Sequence, residues 1–263
     1  MTMLAQYTSG LFVGLEEETG QATGFKQNGS ISVAPDEERF EELKRGASMA
    51  KCFGLEVEVI SPREARELHP YLNIDDLCGA VFLPKDGQTN PIDTTRALAQ
   101  GAKMRGACIL ENVKVEGVQK HQGRVTGVLT DKGEVKAEYV VNCAGLWGRQ
   151  VGQMAGVNVP LHASEHFYIV TEEIGIPASL PVLRDPNGWF YMKEDAGKLL
   201  MGCFEPKGKP RPLSTIPEDF CFGQFPEDWE HFEPAMMNAI HRVPKLEEAG
   251  IQLFFNGPES FTP

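Results

Sequence analysis

The stretch Glu138-Tyr-Val-Val-Asn-Cys-Ala-Gly-Leu-Trp-Gly148 constrains this chain more than any other. Tyr139, Val140 and Val141 form an apolar run that ends in three small residues, Cys143, Ala144 and Gly145, before a helix start around Trp147. The pattern predicts a buried strand running into a loop too tight for side chains, where backbone can approach a flat ligand. No Gly-x-Gly occurs among the 27 glycines, so the turn that grips a dinucleotide pyrophosphate is missing from this sequence.

Around this stretch, helical and strand patterns alternate. Leu4, Tyr7, Leu11 and Leu15 recur at helical spacing and stop at Gly20. Thr23 to Ala34 reads as a hairpin turning at Asn28-Gly29. Asp36 to Cys52 is a helix with Phe40, Leu43, Ala47 and Ala50 on its inner stripe. Leu55 to Ile60 alternates as a strand, and Ser61-Pro-Arg-Glu64 fits a capping box with proline at the first helical position. Gly79 to Leu83 is an apolar strand.

After Asp86-Gly87 the character changes. Pro91 to Arg105 is a helix that feeds a strand at Cys108 to Leu110. Three alternating strands follow, turning at His121-Gln-Gly-Arg and Asp131-Lys-Gly-Glu. From Pro160 strands dominate (Phe167 to Thr171, Gly188 to Lys193, Lys198 to Phe204), then a proline-rich stretch from Pro206 to Pro226 and a helix around Glu227 to Ile240. A helix, a three-stranded meander and a glycine-rich strand end together form a unit of α/β nucleotide-binding folds.

Composition narrows the partners. A formal charge of −12 argues against nucleic acid or an anionic membrane surface. The six cysteines are scattered without a Cys-x-x-Cys pair, which suggests reduced thiols and no metal site. The amino terminus has no basic n-region and the sequence has no run of about 18 apolar residues, so neither a signal peptide nor a membrane span is read.

In order, the segments Gly24-Phe-Lys-Gln-Asn-Gly-Ser-Ile-Ser, Lys85-Asp-Gly-Gln-Thr-Asn-Pro91, Val141-Asn-Cys-Ala-Gly-Leu-Trp-Gly148 and Phe255-Asn-Gly-Pro-Glu-Ser-Phe-Thr-Pro263 make the chain resemble the dimethylglycine/sarcosine dehydrogenase branch of the glycine-oxidase-type FAD oxidoreductases. The resemblance covers nearly the whole chain. It implies an α/β fold in which an incomplete FAD-type nucleotide domain is interleaved with a mostly antiparallel substrate sheet. Residues 1–263 would form one incomplete oxidoreductase module. Residues 21–88 and 161–253 would be the substrate part, 89–160 the FAD part, and 254–263 the return to the FAD part. Family members also carry a Gly-x-Gly-x-x-Gly turn before the matched region and a flavin-facing segment after it. The sequence is therefore expected to be an internal fragment, inactive alone.

The family reaction oxidises the C–N bond of a small N-methyl amino acid, dimethylglycine or sarcosine, with hydride transfer to flavin. The one-carbon product leaves as formaldehyde or passes to tetrahydrofolate through a further domain. The electron acceptor would be oxygen or an electron-transfer flavoprotein, and the location a bacterial cytoplasm or the mitochondrial matrix. The resemblance assigns His166 and Tyr191 to catalysis. It assigns Val115, Ala144, Gly145, Trp147 and Gly257 to FAD, with Val115 reading the adenine edge through its main chain. The competing reading of His166 is a surface histidine paired with Glu165. His162, four residues back on the same strand face, would sit roughly 13 Å away. Tyr191 is equally readable as a core tyrosine, and a register slip would put Phe190 or Met192 in its place. Arg184 and Lys193 are weaker candidates for a substrate carboxylate. The alternative function is a non-catalytic regulatory protein resembling the regulatory subunit of pyruvate dehydrogenase phosphatase.

Overall fold

The computed structural model describes residues 2–262. Its elements run α1 (Thr2–Thr19), β1 (Ser30–Ala34), α2 (Glu37–Cys52), β2 (Glu58–Ile60), α3 (Pro62–Leu68), β3 (Gly79–Leu83), α4 (Pro91–Met104), β4 (Val115–His121), β5 (Arg124–Thr130), β6 (Gly133–Lys136), α5 (Gly148–Met154), β7 (His162–Thr171), β8 (Val182–Asp185), β9 (Phe190–Asp195), β10 (Lys198–Cys203), α6 (Trp229–Arg242) and β11 (Ile251–Phe261). The fold is mixed α/β, as expected. One sheet has eight strands in the order β11-β7-β10-β9-β8-β1-β3-β2, and β4-β5-β6 form a separate sheet. β1 lies parallel to β8, whereas β1–β3, β2–β3, β7–β10, β8–β9 and β9–β10 are antiparallel. Ser30–Ala34 and the strands from β7 to β10 share one sheet, as the sequence pattern anticipates.

The chain divides into two compact units. The first comprises Met1–Ala107, Phe167–Pro206 and Glu227–Phe255; the second comprises Cys108–His166, Lys207–Pro226 and Asn256–Pro263.

In the first unit, period-2 alternation decides what is buried. On β9, Phe190, Met192 and Glu194 are buried while Tyr191 and Lys193 are half-buried. The buried set joins Ile31, Leu183, Leu199 and Met201; α6 adds Phe232, Ala235 and Ala239 to the same core, and Val243 follows just past its end. Each large aliphatic side chain taken out of water there contributes about 1.5–3 kcal/mol. At the β2–β3 edge a smaller cluster joins α2 to the sheet through Ala47, Val57 and Val81.

Arg242, the last residue of α6, is 2% exposed and fixes the helix in place. Its Nε donates to Asp185 Oδ2 at 3.0 Å, its Nη1 to Asp76 Oδ1 at 2.6 Å and Asn73 O at 2.8 Å, and its Nη2 to Asp76 Oδ2 at 3.0 Å. Breaking the buried Arg242–Asp185 pair by removing one partner costs about 3–5 kcal/mol, because the remaining charge loses its partner; Asp76 is exposed and contributes less. The Lys85–Pro91 motif is a second tie. Gln88 exchanges backbone hydrogen bonds with Lys26, and both side chains reach the buried Glu194. Asn90 then caps α4.

Several local expectations hold. The capping box Ser61–Glu64 caps the start of α3, with Pro62 at its first position. The turn between β4 and β5 has positive φ at Gln122 and Gly123, as a two-residue hairpin turn with right-handed strand twist requires. Others fail. Thr23 to Ala34 is not a hairpin: Lys26 bridges Gln88, while β1 pairs with β3 and β8. The two arms find partners far away in sequence, and these outweigh the local turn signal. Only Glu58–Ile60 of the expected strand from Leu55 is paired. Neither Cys108 to Leu110 nor Tyr139 to Val141 forms a strand. Tyr139 is 85% and Val141 82% exposed, because no described strand pairs with that run.

His69 caps the end of α3 and is 1% exposed, with neither ring nitrogen hydrogen-bonded. Desolvation pushes its imidazole down to about 4 from an ordinary value of 6.5. Between those values the unfolded chain binds a proton that the native chain does not, so stability falls as pH drops through that window, by about 3 kcal/mol in full. Urea denaturation at pH 7.5 and pH 4.5 is expected to show this loss in the wild type. The loss should shrink in His69→Phe.

Candidate functional site

In the first unit, the sheet face opposite α6 carries a cross-strand row of four residues. Arg184 of β8 pairs with Tyr191 of β9, Tyr191 with Gly202 of β10, and Gly202 with Tyr168 of β7. Residues paired in register point to one face, so these four share it. The Tyr191 phenol lies flat across Gly202: a Cβ built there would overlap Tyr191 Cζ and Oη. Its ring sits 5.6 Å from that of Phe204, and Tyr168 stacks on Phe255 at 4.7 Å. Burial, helped by the charge of Asp195, pushes the Tyr168 phenol up, so it stays protonated.

A cavity of about 250 Å³ opens in this row, lined by Arg184, Pro186, Trp189, Tyr191 and Phe204 together with Asp185 and Phe190. Trp189 has φ +61, a left-handed conformation that costs a bulky residue of order 1–3 kcal/mol. Asp185 Oδ1 accepts from Gly188 N at 2.8 Å, and Trp189 O accepts from Phe204 N at 2.7 Å; together these hold the turn in that shape. Arg184 is exposed, and its guanidinium makes no hydrogen bond or ion pair among the described residues. The arrangement offers an unpaired guanidinium for a carboxylate, aromatic walls for a methylated amine and a fixed phenol beside both. Phe190 and Met192 are buried in the core and Tyr191 is half-buried on the opposite face, so β9 is not slipped by one residue.

In the second unit, a cavity of about 840 Å³ is lined by Val115, Trp147, Gln150, Met154, Ile216 and Phe220, among others. It brings together two of the residues expected at the cofactor, Val115 and Trp147. Ala144 and Gly145 sit on the turn that leads to Trp147, with Gly145 at φ +51 and no atom near its missing Cβ. Asn142 shapes this turn: its Oδ1 accepts from Ala144 N at 3.2 Å and its Nδ2 donates to Gly148 O at 2.7 Å. Sequence reasoning missed that role, although an Asn two residues before a tight turn is its usual signal.

The other expected residues also lie in the second unit. His166 is mostly enclosed, with Nε2 3.6 Å from Glu259 Oε2 and its ring 6.4 Å from Phe261. His162 is exposed and turned onto Ala163 O. Glu165 points to the other face of β7, where it accepts from Arg211 Nε and Asn256 Nδ2, both at 2.7 Å. A surface pair between His166 and Glu165 is thereby ruled out. Gly257 is buried within β11 beside Asn256. Asn256 Oδ1 is buried without a hydrogen-bond donor.

A flat adenosine moiety fits the larger cavity in size and lining, with Trp147 as a stacking surface and the Ala144-Gly145 backbone open to approach. Among the described residues no group of His, Cys, Asp and Glu is arranged to hold a metal, and no helix is long and apolar enough to cross a membrane.

Comparison with known proteins shows the family. A profile of the family described as FAD dependent oxidoreductase matches residues 1–263. Human mitochondrial sarcosine dehydrogenase is 42% identical over 254 residues, covering 95% of this chain and 28% of that protein. The mouse mitochondrial pyruvate dehydrogenase phosphatase regulatory subunit is 39% identical over 265 residues, covering 99% of this chain and 30% of that protein. The chain thus spans between 28% and 30% of the length of these curated relatives. The crystal structure of L-proline dehydrogenase from P. horikoshii superposes with a TM-score of 0.85 at 25% identity, covering 98% of this chain and 66% of that one.

The packing of Tyr191 on Gly202 is directly testable. Gly202→Ala is expected to cost about 1–3 kcal/mol through overpacking. Gly46→Ala, in the middle of α2 with open space around it, should instead stabilise by about 1 kcal/mol. Urea unfolding of the two variants checks the contrast.

Proposed function

Because the chain belongs to the FAD dependent oxidoreductase family, we propose that it is the substrate-binding and adenosine-binding part of an enzyme that oxidatively demethylates a small N-methyl amino acid of the sarcosine or dimethylglycine class. FAD is the cofactor of this family; when bound, it supplies the two-electron acceptor. The reading is supported most by the unpaired Arg184 guanidinium beside Tyr191 in an aromatic-lined cavity.

Arg184 holds the substrate carboxylate in a bidentate pair, which fixes the molecule's long axis. Trp189, Tyr191 and Phe204 enclose the methylated amine and keep water from it. The Tyr191 hydroxyl, held across Gly202, hydrogen-bonds the amine nitrogen and favours its unprotonated form, whose lone pair the oxidation requires. The family pattern makes His166 a second catalytic residue. Val115, Ala144, Gly145, Trp147 and Gly257 hold the cofactor, Val115 through its main chain. Oxygen or an electron-transfer flavoprotein reoxidises the enzyme, in a bacterial cytoplasm or a mitochondrial matrix.

Without a Gly-x-Gly turn to seat the pyrophosphate, the 263-residue chain is expected to purify without stoichiometric flavin absorbance. In a polypeptide extended to the length of its relatives, Arg184→Gln should raise KM for sarcosine or dimethylglycine about 10- to 100-fold with little change in kcat, the loss expected for a charged hydrogen bond. His166→Ala should lower kcat about 100-fold or more, and His162→Ala should change it less than about threefold. Equal effects of the two histidine variants would remove His166 from the mechanism.

A further inference from the structure

We propose that a second pocket, in the second unit, binds a phosphate group. It has a volume of about 250 Å³ and is lined by Arg149, Gln150, Leu161, His162, Arg211 and Leu213, among others. It shares Gln150 and Leu213 with the larger cavity, but none of its basic residues lines that cavity. The site therefore lies beyond the demethylase reading and does not depend on it.

In a chain of net charge −12, two guanidiniums on one small pocket need a reason. Arg211 is held in place: its Nε donates to the buried Glu165 at 2.7 Å and its guanidinium stacks on Phe225 at 4.7 Å. Its Nη1 and Nη2 make no hydrogen bond among the described residues, so a pre-organised two-pronged donor edge remains. Arg149 is exposed and has no described partner. His162 Nδ1 lies 2.7 Å from Ala163 O, a carbonyl that can only accept, so Nδ1 carries the proton and Nε2 is left for a ligand. Glu165 is the carboxylate bonded to this cluster, and it offsets one of the two arginines. A positive charge of at least one is left over.

Gln150, which lines both this pocket and the larger cavity, favours one class of oxyanion. Its Oε1 is buried and accepts no hydrogen bond. A carboxylate at neutral pH has no proton to give it, whereas a hydrogen phosphate or a singly protonated phosphomonoester does. The apolar walls from Leu161 and Leu213 lower the local dielectric and strengthen the charge pairing.

The test is a calorimetric titration of the full chain at fixed ionic strength with inorganic phosphate, glycerol phosphate and succinate. The expected result is saturable phosphate binding that weakens at least tenfold in Arg149→Ala and is unchanged in Arg124→Ala, which removes a basic residue of β5 outside the pocket. Tighter binding of glycerol phosphate would support a phosphomonoester as the ligand, and tighter binding of inorganic phosphate would support the free ion. Succinate binding as tightly as phosphate, equal losses in the two arginine variants, or no saturation would each overturn the proposal.

Discussion

The burial of one sheet face under α6 is the constraint from which the chemistry of the other face follows. Strand alternation gives each of β8, β9 and β10 two kinds of side chain. Leu183, Met192 and Met201 go to the core, and Arg184, Tyr191 and Gly202 to the opposite face. A slip of one residue would bury Arg184 and expose Met192, so the apolar core fixes the register of the candidate site. Arg242 adds the directional part of that constraint. By binding Asp185, the residue after Arg184, it pins the end of β8 that leads into the strained Trp189 turn.

β7 shows the same logic within one strand. Glu165 is buried and bonded to Arg211 and Asn256, while His166, one residue on, is turned to the other face and meets Glu259. The buried Glu165 joins β7, the 207–226 segment and β11 in the second unit. This explains why a proline-rich stretch with little regular structure is nevertheless anchored there.

Much of the fold was legible because the signals were local. The capping box at Ser61, the Asn90-Pro91 helix start and the two tight turns of the β4–β6 meander each depend on a few neighbouring residues. Elements whose partners lie far off in sequence were misread or missed. The Asn28-Gly29 turn signal lost to pairings of Lys26 with Gln88 and of β1 with β8. β8 and β11 were not anticipated; β8 is four residues long, too short for alternation to stand out. The Tyr139-Val141 run is apolar enough for a buried strand, but burial needs a partner strand as well as composition. His166 and Tyr191 could be picked out from family pattern, and Tyr191 from its place in an alternating strand. The unpaired state of Arg184, the contact of Tyr191 with Gly202 and the conformation of Trp189 are properties of three strands together, which no single segment carries.

The central claim is that the Arg184 cavity holds the carboxylate of an N-methyl amino acid with its methyl groups against aromatic rings. Saturation-transfer NMR on the flavin-loaded enzyme tests it most directly, with aromatic protein protons irradiated and the sarcosine N-methyl signal observed. The account predicts strong transfer to the N-methyl protons in the wild type and its loss in Arg184→Gln. Undiminished transfer in Arg184→Gln, or transfer abolished by changes in the second unit but not by Trp189→Ala or Phe204→Ala, would contradict it.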